Sequence, residues 1–127
     1  SKGLKLPAEP GTHSVLKSPE GDFAVQATRA AGPNGLATTA IAVQANAAGD
    51  TVALAADGTL TLGGRPVPAG DAPQALPGGG TLTNWGAGFV TIDTAGGDTV
   101  SAFAKGDRVE FMGQLSEQRG PVAVGAP

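Results

Sequence analysis

The sequence predicts an all-β fold, an antiparallel β-sandwich of about nine to eleven short strands. Large apolar residues alternate with small or polar ones in short runs along the chain of 127 residues. Gly, often beside Asp, Asn or Pro, separates these runs, as tight turns require. No stretch of helical length shows a 3.6-residue apolar period. With many strands and no helix, the apolar faces must cover one another, which favours a sandwich.

Strand signals begin near Thr12 and continue into the last third of the chain. The alanine-rich residues 37–48 are the best helical candidate, but Thr38, Ile41 and Val43 are β-branched and favour a strand. The other runs with period-two alternation are residues 23–28, 52–54, 60–62, 81–83, 89–92, 100–103 and 109–111.

Turn signals stand between these runs. Asp57-Gly58 predicts a type I′ hairpin, and residues 63–64 predict a second tight hairpin. Further turns are expected at residues 33–35, 96–97 and 106–107. Residues 68–80 are rich in Pro and Gly and predict a loop that crosses between the sheets or follows an edge.

Alternation also predicts the core. Because the chain has only four Phe and one Trp, we expect the Phe residues to fill the core, and we favour a buried position for Trp85. The residues predicted to be mainly buried are Phe23, Val25, Ile41, Val43, Val52, Leu54, Phe89, Ile92, Val100, Phe103 and Phe111.

The length predicts one domain. Residues 1–10 are expected to form an N-terminal arm, residues 11–118 the sandwich, and residues 119–127 a C-terminal edge strand or linker.

The two terminal segments carry apolar residues spaced two apart, as a strand needs. We predict that one of them adds as a strand to a neighbouring copy or domain. The residues concerned are Leu4 and Leu6 at one end and Val122 and Val124 at the other.

Charge and residue usage exclude several functions. Eight Lys and Arg against eleven Asp and Glu give a net charge of −3, which offers no attraction for nucleic acid. No apolar run is long enough for a membrane span, and the absence of Cys excludes thiol catalysis and Cys-ligated zinc. His13 is the only histidine, and no serine stands in a nucleophile-elbow motif, so we expect no enzyme.

The motif Gly-Asp-Thr-Val occurs twice, at residues 49–52 and 97–100. Gly-Asp repeats bind calcium in β-rolls when they recur in tandem nonapeptides, but only Asp98 and Asp107 have that spacing here. Each copy opens a predicted strand, so turn formation is the favoured interpretation and calcium binding the alternative. No metal or other cofactor is predicted, and residues 78–80 lack the Lys-Ser/Thr ending of a phosphate loop.

Trp85 and Asn84 are the candidate ligand-binding residues. An exposed Trp can stack on a sugar ring or anchor a peptide, and a neighbouring amide can bond hydroxyl groups. The favoured interpretation is nevertheless structural, with Trp85 in the core or closing a loop.

The order of several motifs resembles the von Willebrand factor type D domain in its cysteine-free bacterial form. Residues 21–29 are similar to its Gly-Asp-Phe-x-Val-Gln-x-Arg strand, residues 38–43 to its Asn-Thr-Ala-Val-Ala strand, and residues 60–67 to its Val-Asn-Gly-x-Pro-Val hairpin. The match covers roughly residues 11–112 and fits a partial domain. The segment that supplies calcium ligands in the family is not recognisable after Phe111.

The resemblance implies an extracellular or cell-surface module that is structural or adhesive and not catalytic. Such a module acts through protein–protein contacts, including contacts with copies of itself in a larger assembly. The alternative is a carbohydrate-binding module with Trp85 at the binding face.

Overall fold

The chain folds into antiparallel sheets, which confirms the predicted all-β class. The computed structural model describes residues 6–70, 72–117 and 123–124, and no helix forms in these residues. The strands are β1 (Gly11–Lys17), β2 (Ala24–Gly32), β3 (Gly35–Gln44), β4 (Thr51–Ala55), β5 (Leu60–Leu62), β6 (Arg65–Pro66), β7 (Gln74–Ala75), β8 (Thr81–Gly86), β9 (Phe89–Asp93), β10 (Thr99–Ala104), β11 (Val109–Gln114) and β12 (Ala123–Val124).

The described strands form two sheets. The larger has the order β12-β1-β2-β3-β4-β5-β6, and the smaller has the order β11-β10-β9-β8-β7. Apart from the β12–β1 pair, neighbours in a sheet are also neighbours along the chain, so each sheet is a meander. The chain crosses between the sheets after β6, within the predicted loop, which also contains the short strand β7.

Buried apolar side chains from both sheets form one core cluster between them. The prediction of burial is confirmed for Phe23, Val25, Ile41, Val43, Val52, Leu54, Ile92 and Val100. Most of the remaining volume is filled by aliphatic residues, namely Val15, Leu16, Leu60, Leu62, Leu76, Leu82, Val90 and Val109.

The prediction of mainly buried side chains was wrong for Phe89, Phe103 and Phe111, which are only partly buried. Successive residues of a strand point to opposite faces, so positions three apart cannot share the core. Phe89 lies three residues before the buried Ile92 and therefore points outward. Phe103 follows the buried Val100 by three residues and does the same. Phe111 packs against the core from the edge strand β11.

The Asp57-Gly58 turn differs from the predicted type I′ geometry. Such a turn needs a positive φ at both central residues, but only Gly58 has one, at +93°. The N–H of Gly58 and the N–H of Ala55 instead bond the carbonyls of Ala55 and Thr59, each at 2.9 Å. The hairpin is therefore a type I turn followed by a left-handed glycine. Residues 63–64 have φ values of +56° and +83°, as a type I′ hairpin requires.

A buried asparagine ties the crossing loop to the larger sheet. The amide Nδ2 of Asn46 donates to the carbonyls of Pro77 and Gly79, each at 2.8 Å. Gly78 lies against the same side chain at a φ of +89°, and a Cβ there would lie 2.6 Å from the Cβ of Ala48. Only glycine fits this position without a shift of its neighbours.

The described terminal residues lie beside the larger sheet. Arg29 on β2 donates from Nε to the carbonyl of Pro7 at 3.1 Å, which holds the described end of the N-terminal segment against the sheet. At the other end, Ala123 and Val124 pair with Lys17 and Leu16.

Among residues 6–70, 72–117 and 123–124, none belongs to a helix with the length and hydropathy of a membrane span.

Candidate functional site

The outer face of the five-stranded sheet carries a row of stacked aromatic side chains, Trp85, Phe89 and Phe103, which we call the aromatic row. The rings of Trp85 and Phe89 have centroids 6.1 Å apart and planes 17° from parallel. Phe89 and Phe103 stack with a centroid distance of 4.4 Å and an angle of 6°. The ammonium of Lys105 lies 5.3 Å from the centroid of Phe103 and ends the row on that side.

Strand register brings the two Phe rings together. Phe89 and Phe103 are direct partners in the β9–β10 ladder. The N–H of Ala104 donates to the carbonyl of Gly88 at 2.8 Å, so the next pair along is hydrogen-bonded. Alternation makes Phe89 and Phe103 a non-hydrogen-bonded pair, in which opposite side chains come closest.

A β-bulge brings Trp85 into the row. The β8–β9 register shifts between Asn84 and Gly86, which leaves Trp85 as the extra residue. The side-chain oxygen of Asn84 accepts the N–H of Gly86 at 3.1 Å and supports this bend. The indole N–H of Trp85 donates to the hydroxyl of Thr91 at 3.1 Å, which fixes the ring over the outer face of the sheet.

On β9 and β10, polar side chains lie beside the aromatic row, and on β11 the exposed Met112 is the ladder partner of Ser101. The ladder rows beside the aromatic row contain Thr91 and Ser101, and then Asp93 and Thr99. The carboxylate of Asp93 accepts hydrogen bonds from the hydroxyls of Thr99 at 2.9 Å and Thr81 at 3.3 Å. An apolar stripe thus lies beside a surface of hydroxyl and carboxylate groups.

Trp85 is not buried, so the prediction that it lies in the core was wrong. Its side chain is 55% exposed. The alternation of side chains along β9 and β10 could have placed Phe89 and Phe103 on the outer face from the sequence alone. The bulge at Trp85 has no corresponding signal in the sequence. Asn84 shapes the bulge rather than the aromatic row itself.

The terminal residues predicted as assembly edges are described only in part. Leu4 and Val122 lie outside the described residues. Leu6 is 40% exposed and lines a cleft. Val124 pairs with Leu16 of its own chain, and pairing of a terminal segment with a neighbouring copy stays a prediction.

The cleft has a volume of about 620 Å³ and lies between the β2–β3 hairpin and the start of β11. Its apolar lining includes Leu6, Leu36 and Phe111. At its rim Arg108 bonds Glu110 at 3.0 Å and Asp107 at 3.1 Å. The hydrogen bond to Glu110 raises the pKa of Arg108.

The Gly-Asp motif at residues 97–98 forms a turn through its own side chain. Asp98 is fully buried; its carboxylate accepts the hydroxyl of Thr94 at 2.7 Å and the N–H of Ser116 at 2.8 Å. These bonds support the interpretation as turn chemistry at this copy. Three or more His, Asp or Glu side chains do not converge anywhere in the part of the chain that the structure describes.

His13, the one histidine of the sequence, lies near the start of β1. Its Nε2 is 3.1 Å from the carbonyl oxygens of both Glu9 and Pro10, so the ring is held by backbone groups.

Comparison with protein-family models finds no match, and a search of curated proteins finds no significant match either.

Proposed function

We propose that this chain is a non-catalytic carbohydrate-binding module whose ligand surface is the outer face of the five-stranded sheet. The observation that carries the proposal is the exposure of Trp85, 55%, at the end of a stacked aromatic row. A large exposed apolar group on a small domain costs solvation free energy, and such groups are typical of interaction sites.

The chemistry of the surface favours a sugar over an apolar partner. A pyranose ring presents C–H groups on its faces and hydroxyls around its edge. The C–H groups are attracted to the electron-rich face of an indole ring, whose quadrupole is negative there. The hydroxyls can bond the side chains of Thr91, Ser101 and Asp93 in the neighbouring rows.

The spacing of these rows suits an oligosaccharide. Consecutive rows on one face are two residues apart along the strand, or about 7 Å. A sugar stacked on Trp85 therefore has hydroxyl and carboxylate groups within reach of its edge or of the next sugar. Since Phe89 and Phe103 cover each other's inner faces, Trp85 is the ring of the row that we expect to stack on the ligand.

The proposal agrees with the extracellular, adhesive role that the resemblance to the von Willebrand factor type D domain implies. Glycan binding is one means by which a cell-surface module can adhere. A structural module acting through protein contacts is the second candidate, and β11 favours it, because among the described strands it pairs only with β10.

The test is binding of the purified chain to an array of immobilised glycans and to insoluble cellulose, chitin and xylan. Trp85→Ala should reduce binding at least tenfold, because the stacking face is lost. Gln26→Ala is the matched control, since Gln26 is exposed on the outer face of the other sheet. Both variants should keep the β-rich circular dichroism spectrum. Absence of binding to every glycan, or equal binding by Trp85→Ala, would reject the proposal and leave the structural module.

A further inference from the structure

The outermost strands of the two sheets differ in how they are protected. β12, β6 and β7 have two residues each, β6 contains Pro66, and β7 lies between Pro73 and Pro77. Short strands, Pro and Lys are the usual devices that prevent an edge from pairing with another chain. β11 has six residues, Val109–Gln114, with neither Pro nor Lys.

The backbone groups of β11 that do not bond β10 can be identified from its turn. The N–H of Lys105 donates to the carbonyl of Arg108 at 2.8 Å, so these two residues are a hydrogen-bonded pair. Alternation then directs the N–H and C=O groups of Val109, Phe111 and Gly113 away from β10. Among the described strands, none other than β10 pairs with β11.

We infer that β11 pairs in antiparallel fashion with β11 of a second copy of this chain, about a two-fold axis at Met112. This register sets Phe111 opposite the partner's Gly113, so the backbone groups that point away from β10 in each strand meet each other. Met112 faces the partner's Met112 in a non-hydrogen-bonded pair, where opposite side chains are closest. An interface of this kind is isologous and closes as a dimer.

Side chains at this register are complementary. Met112 is 64% exposed in the single chain and becomes covered by the same residue of the partner. Glu110 faces the partner's Gln114, whose amide can donate to the carboxylate. The charge of Glu110 is already balanced by Arg108 at 3.0 Å, so no like charges oppose each other.

In this dimer the cleft beside β11 would cover a second exposed residue of the partner chain. Continuing the register by one pair sets Val109 opposite the partner's Leu115. Leu115 is 40% exposed in the single chain. Val109 lines the cleft together with Leu6 and Leu36, which offer apolar surface to that side chain.

Dimerisation would join the two five-stranded sheets into one continuous sheet. Opposed residues of paired strands point to the same face, so both aromatic rows would lie on one side. This geometry gives a bivalent surface if the proposed function holds, but the pairing itself does not depend on that function.

The first test is sedimentation velocity of the full chain over a range of concentrations. We expect a dimer for the wild type. Met112→Lys should raise the dissociation constant at least tenfold, because two like charges would meet at the two-fold axis. Gln26→Lys carries the same charge change on the other sheet and should stay dimeric. A wild-type chain that is monomeric at every concentration, or a dimeric Met112→Lys variant, would overturn the inference.

The second test fixes the register. The chain contains no Cys, so a single introduced thiol reports its own neighbour. Under mild oxidation Met112→Cys should form a disulfide-linked dimer, because this position meets itself. Gln114→Cys should not, because its partner is Glu110. The reverse result would contradict the proposed pairing.

Discussion

Phe89 and Phe103 stack almost parallel across neighbouring strands, with centroids 4.4 Å apart, on the face of the sheet that points away from the core. Trp85 extends this pair along the same surface. In a chain with four Phe and one Trp, more than half of the aromatic residues therefore lie on one outer face. This distribution is the main structural argument for a binding surface.

Truncation of the two kinds of Phe should have different costs. Phe23→Ala removes a fully buried ring and should lower the free energy of unfolding by about 3–5 kcal/mol. Phe103→Ala removes a partly buried ring with one stacking partner and should cost about 1–2 kcal/mol. Urea denaturation measures both. Equal losses would mean that Phe103 belongs to the core.

Trp85 should behave as a surface residue. Because it is the only tryptophan, its emission reports one position. We expect the long-wavelength emission of a hydrated indole and ready quenching by acrylamide. Trp85→Ala should reduce the free energy of unfolding by less than about 1 kcal/mol. A blue-shifted emission that acrylamide does not quench would contradict the exposed position.

Ala87 is the one non-glycine residue with a positive φ, +53°, in the described ranges. It precedes Gly88, at +80°, in the turn between β8 and β9, and both values fit type I′ geometry. Ala87→Asn should raise the free energy of unfolding by about 1 kcal/mol, because Asn tolerates this conformation better.

Ala47→Asn is the matched control for the Ala87 variant. Ala47 is exposed in a turn and has no positive φ. Thermal denaturation should show a gain for Ala87→Asn alone. A gain of the same size in both variants would point to a general surface effect.

Asp50 and Asp98 stand second in the two copies of the Gly-Asp-Thr-Val motif. Asp98→Ala should lower the free energy of unfolding by about 3 kcal/mol, because the N–H of Ser116 and the hydroxyl of Thr94 lose a buried charged acceptor. Asp50 is partly exposed, and Asp50→Ala should cost less than about 1 kcal/mol. Similar losses in chemical denaturation would contradict this distinction.

The turn at Asp57 predicts a small dependence of stability on pH. The backbone N–H of Thr59 bonds the carboxylate at 2.9 Å and holds the pKa of Asp57 below its ordinary value of 3.8. The folded state therefore favours the ionised form. Its contribution is present above the unfolded pKa and is lost as pH falls through the lower folded pKa.

Asp57→Asn tests this dependence because it removes the titrating group. The midpoint of thermal unfolding of the wild type should exceed that of the variant at neutral pH, and the difference should shrink as pH falls below 3.8. A difference that is the same at every pH would show that Asp57 contributes through its shape alone.

Period-two alternation and glycine-rich turns are local signals, so the fold class, most turn positions and the burial of Val25, Val43 and Leu54 could be predicted from the residues of each strand alone. Positions that depend on pairing between strands could not be predicted in this way. Trp85 reaches the outer face through a bulge that depends on pairing with β9.

The two Gly-Asp-Thr-Val copies also show what local sequence cannot predict. Identical local sequence places both aspartates immediately before a strand, but only Asp98 accepts a hydrogen bond from the N–H of Ser116, 18 residues away. The position of β11 at the edge of the described five-stranded sheet is likewise visible only once the order of strands is known, because a strand's own residues do not say which strands lie beside it. Local periodicity predicts the sheet face on which a side chain lies, whereas long-range strand pairing determines which residues contact that face.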